Sequence, residues 1–208
     1  MAYFEVEGGA KLSGKVTIPG AKNATLPMFC AALLTDEKCI FHNVPYIKDV
    51  VTLLDIFEAI GVTVVRRFEE RIVEIQAKRI DTEKLKNCEK LKKIRASILI
   101  LGPILARENR CEIYSPGGCV IGARSHEIHT DGFEVLGAEI LRDDERIALK
   151  FDRKLLANKR LLLSEASVTG TENLSMFLAR QEKQTSEVYF AAGEPHVCAT
   201  LKMLQQMG

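Results

Sequence analysis

The sequence has no run of about 18 consecutive apolar residues, so nothing in it reads as a membrane-spanning helix. It has no excess of either charge. Against 28 Asp+Glu stand 29 Lys+Arg, a net +1 over 208 residues, which excludes the electrostatic footprint of a general nucleic-acid or membrane-surface binder. No two of its six cysteines have C-x-x-C spacing, and His42, His126, His129 and His196 form no ligand cluster with them. Neither a zinc site nor a disulfide frame is therefore expected, and no metal. The opening Met-Ala-Tyr-Phe-Glu-Val-Glu-Gly-Gly has acids and glycines where a signal peptide needs a basic and then an apolar stretch, which points to the cytoplasm. Neither G-x-x-x-x-G-K-[ST] nor G-x-G-x-x-G occurs, so a nucleoside-triphosphate loop and a dinucleotide fingerprint are both absent.

What is present suffices for a folded core. With 47% hydrophobic and 27% charged residues, the composition is that of one or two globular domains. A chain of this length buries roughly 70% of its unfolded surface without help from a metal or disulfide.

An internal repeat organises the chain. Asp55-Ile-Phe-Glu-Ala-Ile-Gly-Val-Thr-Val64 resembles Asp131-Gly-Phe-Glu-Val-Leu-Gly-Ala-Glu-Ile140, 76 residues later. A third copy begins at Leu201-Lys-Met-Leu-Gln-Gln-Met-Gly208, whose glycine lies 147 residues beyond Gly61. Each copy reads as a helix ended by glycine just past its last turn, followed by a strand. In the first unit Lys38–His42 alternates like a strand, Lys48–Ile60 has helical spacing, and Val62–Arg66 with Arg71–Gln76 reads as a hairpin. An apolar helix over Lys92–Ala106 follows. The second unit repeats the order with strand Arg110–Tyr114, helix Ser125–Leu136, and strands near Ala138–Leu141 and Arg146–Phe151. Helices Lys22–Leu34 and Gly170–Arg180 match Lys92–Ala106. Units of about 70 residues with two helices and several strands predict an α/β fold packed around a pseudo-axis. The third unit stops where its hairpin should begin, which reads as a fragment; a natural C-terminal helix is the alternative.

Three segments look like chemistry. In Ile18-Pro-Gly-Ala-Lys-Asn-Ala24 a strand hands over to a helix whose first turn carries Lys22 and Asn23. A cation is disfavoured at that end of a helix, so its presence suggests an anion to neutralise; the plain alternative is a solvated lysine. In Ser115-Pro-Gly-Gly-Cys-Val-Ile-Gly-Ala-Arg124 three glycines in six residues make a loop that a ligand can approach closely, with Cys119 five residues before Arg124. Positive surroundings make a thiol reactive. Cys30 lies on an apolar helix face, and Cys39, Cys88, Cys111 and Cys198 read as structural or incidental. Arg95-Ala-Ser97 and Ser167-Val-Thr-Gly-Thr-Glu-Asn173 both place donors at helix starts; alone, they read equally as a snorkelling arginine and an ordinary cap. If the units pack around an axis, the corners bearing Lys22, Arg95, Arg124 and Ser167–Thr171 converge. Two or three fixed cations among helix N–H groups would hold a strongly anionic substrate, such as a phosphate plus a carboxylate, or a diphosphate.

Pro-Gly-Ala-Lys22-Asn23, Arg95-Ala-Ser-Ile, Pro-Gly-Gly-Cys119-x-Ile-Gly-Ala-Arg124, Ser-Val-Thr-Gly-Thr-Glu-Asn173 and Ala-Gly-Glu-Pro-His-Val197 together resemble the enolpyruvyl transferase family, end to end, and specifically its cell-wall branch. The resemblance implies an inside-out α/β barrel of two domains, each of three repeated units, with the active site between them. Residues 1–20 would be strands belonging to the second domain, and 21–208 the domain bearing the catalytic loop. The implied reaction moves the enolpyruvyl group of phosphoenolpyruvate to the 3-hydroxyl of UDP-N-acetylglucosamine with release of phosphate, the first committed step of peptidoglycan synthesis. The two substrates are the only partners it implies, with no cofactor, nucleic acid or membrane.

The same resemblance implies roles residue by residue. Cys119 is the proton donor and the site of fosfomycin alkylation. Lys22 binds phosphoenolpyruvate, with Asn23 beside it where the substrates meet, and Arg124 holds the phosphate. Arg95, the stretch Arg124, Ser125, His126, Glu127 and Ile128, and the stretch Glu165, Ala166, Ser167 and Val168 line the UDP-sugar site. Glu165 stands where some members have lysine, which weakens one contact to the nucleotide. Family members are about twice as long, so the aspartate base and a further arginine are expected outside these residues. Two other readings stay open: the shikimate-pathway branch, and a non-catalytic UDP-sugar-binding module.

Overall fold

The computed structural model describes residues 3–117, 126–142, 145–152, 159–181 and 185–208. The repeated decapeptides are helix ends. Helix α2 (Lys48–Ala59) turns its apolar stripe of Val50, Leu53, Leu54, Ile56 and Phe57 inward. It closes on Gly61 at φ +90°, with Gly61 N donating to Glu58 O at 3.1 Å and Val62 N to Phe57 O at 3.0 Å. That double bond is the Schellman arrangement, which needs a left-handed residue where glycine has no Cβ to clash. Helix α5 (Glu127–Val135) also ends on a left-handed glycine, Gly137 (φ +99°, Gly137 N to Glu134 O 2.8 Å), and the helix over Pro195–Gln206 on Gly208 (φ +95°, Gly208 N to Gln205 O 3.4 Å).

The two complete units build matching sheets. Strands β1 (Lys38–Phe41), β2 (Thr63–Arg67) and β3 (Ile72–Gln76) form an antiparallel sheet of order β1-β3-β2; β4 (Arg110–Tyr114), β5 (Ala138–Arg142) and β6 (Arg146–Phe151) repeat it as β4-β6-β5. The register repeats as well. Cys39 pairs with Ile75 and Phe41 with Val73 in the first sheet, as Cys111 pairs with Leu149 and Ile113 with Ile147 in the second. Alternation puts these residues on the covered face.

The remaining helices make the centre. Helix α1 (Lys22–Ala31) runs into a 3-10 turn, Ala32–Leu34, and buries Leu26, Pro27, Phe29 and Cys30. Helix α4 (Leu101–Glu108) and helix α6 (Val168–Ala179) pack against each other and against α1's surroundings; α7 (Pro195–Gln206) lies along α1 and α6. Phe177 of α6 receives Phe133 and Phe151 edge-on, at 5.6 and 4.9 Å. Where α4 crosses α6 there is no room for a side chain: a Cβ on Gly102 would meet the Asn173 carbonyl oxygen at 2.1 Å.

The structure departs from the sequence reading in three places. The expected single helix over Lys92–Ala106 is two 3-10 segments, Glu89–Lys93 and Arg95–Ile100, leading into α4. Ile94 between them is extended, and the Ser97 hydroxyl lies 2.7 Å from Ile94 O and 2.8 Å from Leu91 O, a local bond that competes with the α-helical ladder. A short helix, α3 (Thr82–Lys86), is capped by Asp81 accepting from Lys84 N at 3.0 Å. Strands β7 (Arg160–Leu162) and β8 (Glu187–Tyr189) form a parallel pair on either side of α6. Residues 3–20 contain neither helix nor strand and leave Phe4, Val6, Leu12, Val16 and Ile18 exposed. Among the described residues no helix is long and apolar enough to cross a membrane.

Candidate functional site

Six segments begin at one cleft of about 690 Å³. Lys22 and Asn23 are the first residues of α1. Asp49 lies in the first turn of α2, Arg95 opens its 3-10 helix, Ile128 is in the first turn of α5, Ser167 caps α6 and His196 is in the first turn of α7. Converging N-termini aim free N–H groups and the positive ends of helix dipoles into one space. The Ser167 hydroxyl takes up one of those donors, accepting from Gly170 N at 3.1 Å.

The charges are arranged for an anion. Lys22 Nζ sits 2.9 Å from the Asp49 carboxylate, both half-exposed. A lysine at the first helical position is unfavourable by its helix dipole, and Asp49 offsets part of that cost while leaving the ammonium facing the cleft. Lys93 and Arg95 add positive charge from the neighbouring wall, against Glu165. Arg95 also disfavours protonation of both nearby imidazoles. Burial and Arg95 lower the pKa of His126; burial, His126 and Arg95 push that of His129 down to about 3. His129 is neutral, and its ring is fixed: Asn173 Nδ2 lies 3.0 Å from Nδ1, and Thr169 Oγ1 lies 3.3 Å from Nε2. Because Nδ2 can only donate, Nδ1 accepts and the ring proton is on Nε2.

Glu172, one turn along α6 from Val168, reaches the floor of the cleft with 1% of its surface exposed. Burial pushes its pKa up to about 8, against a hydrogen bond from Thr200 that lowers it and with the Glu194 carboxylate raising it further. The acid is mostly protonated at neutral pH. The Cys30 and Cys111 thiols are driven far upward by burial, which makes both inert.

Of the residues singled out from the sequence, Lys22, Asn23, Arg95, Ile128, Glu165, Ala166, Ser167 and Val168 line this one cleft. His126 and Glu127 stand at the start of α5, next to the wall but not on it. Cys119, Arg124 and Ser125 lie outside the described residues. Asp49, Lys93 and His129 line the wall without any signal in the sequence; Thr169 belongs to the Ser167–Thr171 corner, and Glu172 and His196 lie in quoted motifs that gave them no role of their own. The nearest to legible was Glu172, four residues after Val168 and so on the same helix face.

A family model described as EPSP synthase (3-phosphoshikimate 1-carboxyvinyltransferase) matches residues 6–208. A UDP-N-acetylglucosamine 1-carboxyvinyltransferase of Borrelia garinii subsp. bavariensis is 43% identical over 209 residues, covering 100% of this chain and 47% of the relative. The protein of that name from Campylobacter fetus subsp. fetus is 38% identical over 209 residues, covering 100% and 48%. The chain thus spans about half the length of the curated relatives it matches. Among solved structures, the enolpyruvyl transferase NikO from Streptomyces tendae superposes with a TM-score of 0.73 at 18% identity, over 97% of this chain and 46% of that one. EPSP synthase from Acinetobacter baumannii superposes at 0.65 and 16% identity, over 88% and 42%. These two likenesses bear on the fold alone.

Proposed function

Because the chain belongs to the EPSP synthase family of carboxyvinyl transferases, matching its model over residues 6–208, we propose that it forms one half of a UDP-N-acetylglucosamine 1-carboxyvinyltransferase. The reaction moves the enolpyruvyl group of phosphoenolpyruvate to the sugar 3-hydroxyl, in the cytoplasm, at the start of peptidoglycan synthesis. One observation carries this reading. Lys22, Lys93 and Arg95 share a single cleft with the first turns of five α-helices, a place for two anionic substrates at once. The names of the relatives favour the UDP-sugar branch over the shikimate branch.

The chemistry divides among named residues. The sugar hydroxyl oxygen bonds to C2 of phosphoenolpyruvate as its methylene carbon takes a proton, giving a tetrahedral phosphate-bearing ketal. Loss of a proton from the new methyl and of phosphate from C2 restores the double bond. Lys22 and Arg124 hold the phosphoenolpyruvate anions, with Asn23 at the junction of the two substrates. Cys119 supplies the proton as a thiol and is the atom fosfomycin alkylates. Arg95, the stretch 124–128 and the stretch 165–168 hold the UDP-sugar, Glu165 making a weaker contact than lysine would. A positioned general acid contributes about 10²–10⁴-fold.

The rest of the inside-out barrel, with the base for the sugar hydroxyl, would come from a second domain. Residues 1–20 would supply strands to it, and the described part, 3–20, leaves its apolar side chains exposed. Mixing this chain with the complementary half of a relative, and measuring phosphate release from both substrates, tests the proposal. Turnover is expected only in the mixture; normal turnover by residues 1–208 alone would refute the division of the site. In calorimetry, Lys22→Met is expected to weaken phosphoenolpyruvate binding in the presence of the UDP-sugar by about 10–100-fold, the worth of one hydrogen bond to a charged group. An unchanged affinity removes Lys22 from the anion site.

A further inference from the structure

Two polar atoms at the bottom of the cleft have no partner among the described residues: Glu172 Oε1 and His196 Nε2. Both residues line the cleft, and Glu172 is 1% exposed, so neither atom is explained as surface. A buried donor or acceptor left unmade costs about 1–3 kcal/mol, which a folded protein tolerates where something else completes the bond. Thr200 of α7 touches both residues, one at its side chain and the other at its backbone. Its hydroxyl hydrogen-bonds the Glu172 carboxyl, and its Oγ1 also lies 3.1 Å from the His196 carbonyl oxygen.

A hydroxyl has one proton, and the His196 carbonyl can only accept it. Shared between that carbonyl and the Glu172 carboxyl, the threonine proton leaves Oε1 without a partner. Oε1 belongs to a carboxyl that burial holds mostly protonated at neutral pH, on a residue that lines the cleft. The groups around it agree with a neutral acid. From α7 the Glu194 carboxylate repels a second negative charge, and from α1 Cys30 offers only an un-ionised thiol. The cleft cations Lys22, Lys93 and Arg95 are opposed by Asp49 and Glu165, and the neighbouring His129 is uncharged.

We infer that Glu172 and His196, both in contact with Thr200, form a hydrogen-bonding subsite in the cleft that takes an amide or hydroxyl group of the sugar. A ligand N–H or O–H serves Glu172 Oε1, and a ligand carbonyl or hydroxyl oxygen serves His196 Nε2 when that nitrogen carries its proton. An acylamino group offers both halves at once. The subsite complements the cationic corners: they hold the anionic part of the ligand, whereas the floor reads its neutral part. The inference rests on the sugar-nucleotide reading above.

The test compares UDP-N-acetylglucosamine with UDP by calorimetry on the 208-residue chain at pH 7. The wild type is expected to prefer the sugar nucleotide. Glu172→Leu is expected to weaken binding of the sugar nucleotide by about tenfold, one hydrogen bond's worth, and to leave UDP unchanged. Glu172→Gln is expected to bind the sugar nucleotide within about twofold of wild type, because its amide N–H₂ reaches Thr200 and its carbonyl replaces Oε1. A merely structural glutamate would not yield loss with leucine, rescue with glutamine and indifference of UDP together. His196→Phe, at a half-buried position, provides the same selective loss should Glu172→Leu fail to fold. The subsite is overturned if folded Glu172→Leu or His196→Phe keeps the full preference for the sugar nucleotide, if glutamine fails to rescue, or if wild type binds both ligands equally. If wild type binds neither ligand, the sugar-nucleotide reading itself falls and the subsite falls with it.

Discussion

Asn173→Ala is expected to lower the unfolding free energy by about 3–5 kcal/mol, the cost of opening a buried hydrogen-bond network. Asn173 is wholly buried, and its amide ties together three parts of the chain. Oδ1 accepts from Gly102 N at 2.6 Å, and Nδ2 faces Ile98 O at 2.9 Å and His129 Nδ1 at 3.0 Å. Alanine removes all three bonds and leaves their partners in a dry interior, where each stranded group costs more than the bond was worth. Equilibrium urea denaturation reads the loss directly as a fall in midpoint. A second signature separates this account from a simple cavity. Without a donor on Nδ1, His129 regains a site for a proton, so its titration, followed by NMR, should move upward from about 3. A loss below about 1 kcal/mol, within the range of one ordinary hydrogen bond, would show that the network is not what joins α4, α5 and α6. Gly102→Ala acts on the same contact from the other side, pressing a methyl onto the Asn173 carbonyl. The two substitutions should therefore be markedly non-additive.

That network shows what the sequence could and could not display. The glycines at 61, 137 and 208 were legible because a helix end is a local event, set by one left-handed residue and its backbone bond to the last turn. Finding the same end three times gave the module and the strands within it, whereas the order β1-β3-β2 and the register came only from the structure. Strands β7 and β8 are three residues each and pair across the whole of α6, so no local pattern announces them. The 3-10 course of Arg95–Ile100 escaped for a related reason. Its apolar spacing is helical, and only the Ser97 side chain, bonding two carbonyls at once, distinguishes it. In the site, Lys22, Arg95 and Ser167 could be read because each opens a helix, where residue type has a local electrostatic meaning. His129 and Glu172 sit inside helices among apolar neighbours. Their meaning arises only when α5, α6 and α7 close on one another, since the desolvation that makes one neutral and the other a protonated acid is a tertiary effect.

The second large effect concerns pH. Glu172→Gln is expected to stabilise the protein progressively from about pH 5 upward, by about 5 kcal/mol above pH 8. The sign follows from which state holds the proton. The folded pKa of about 8 lies above the ordinary carboxyl value of 4.5, so between them the native state binds a proton that the unfolded chain has released. Stability from this group is full below pH 4.5 and is lost as pH rises to about 8. His129 works in the opposite direction. Its folded pKa of about 3 lies below the ordinary 6.5, so the unfolded chain binds the extra proton, and stability rises with pH through that interval. The two intervals overlap between about pH 4.5 and 6.5, where slopes of up to about 1.4 kcal/mol per pH unit oppose one another. Wild type should accordingly be nearly flat there and lose stability from pH 6.5 to 8. Glu172→Gln should instead gain stability from pH 4.5 to 6.5 and stay level beyond. Denaturation midpoints at half-unit intervals from pH 4.5 to 8.5 measure both curves. Parallel curves for the two proteins would mean that Glu172 is ionised throughout this range, and that the floor of the cleft carries a charge rather than a neutral acid.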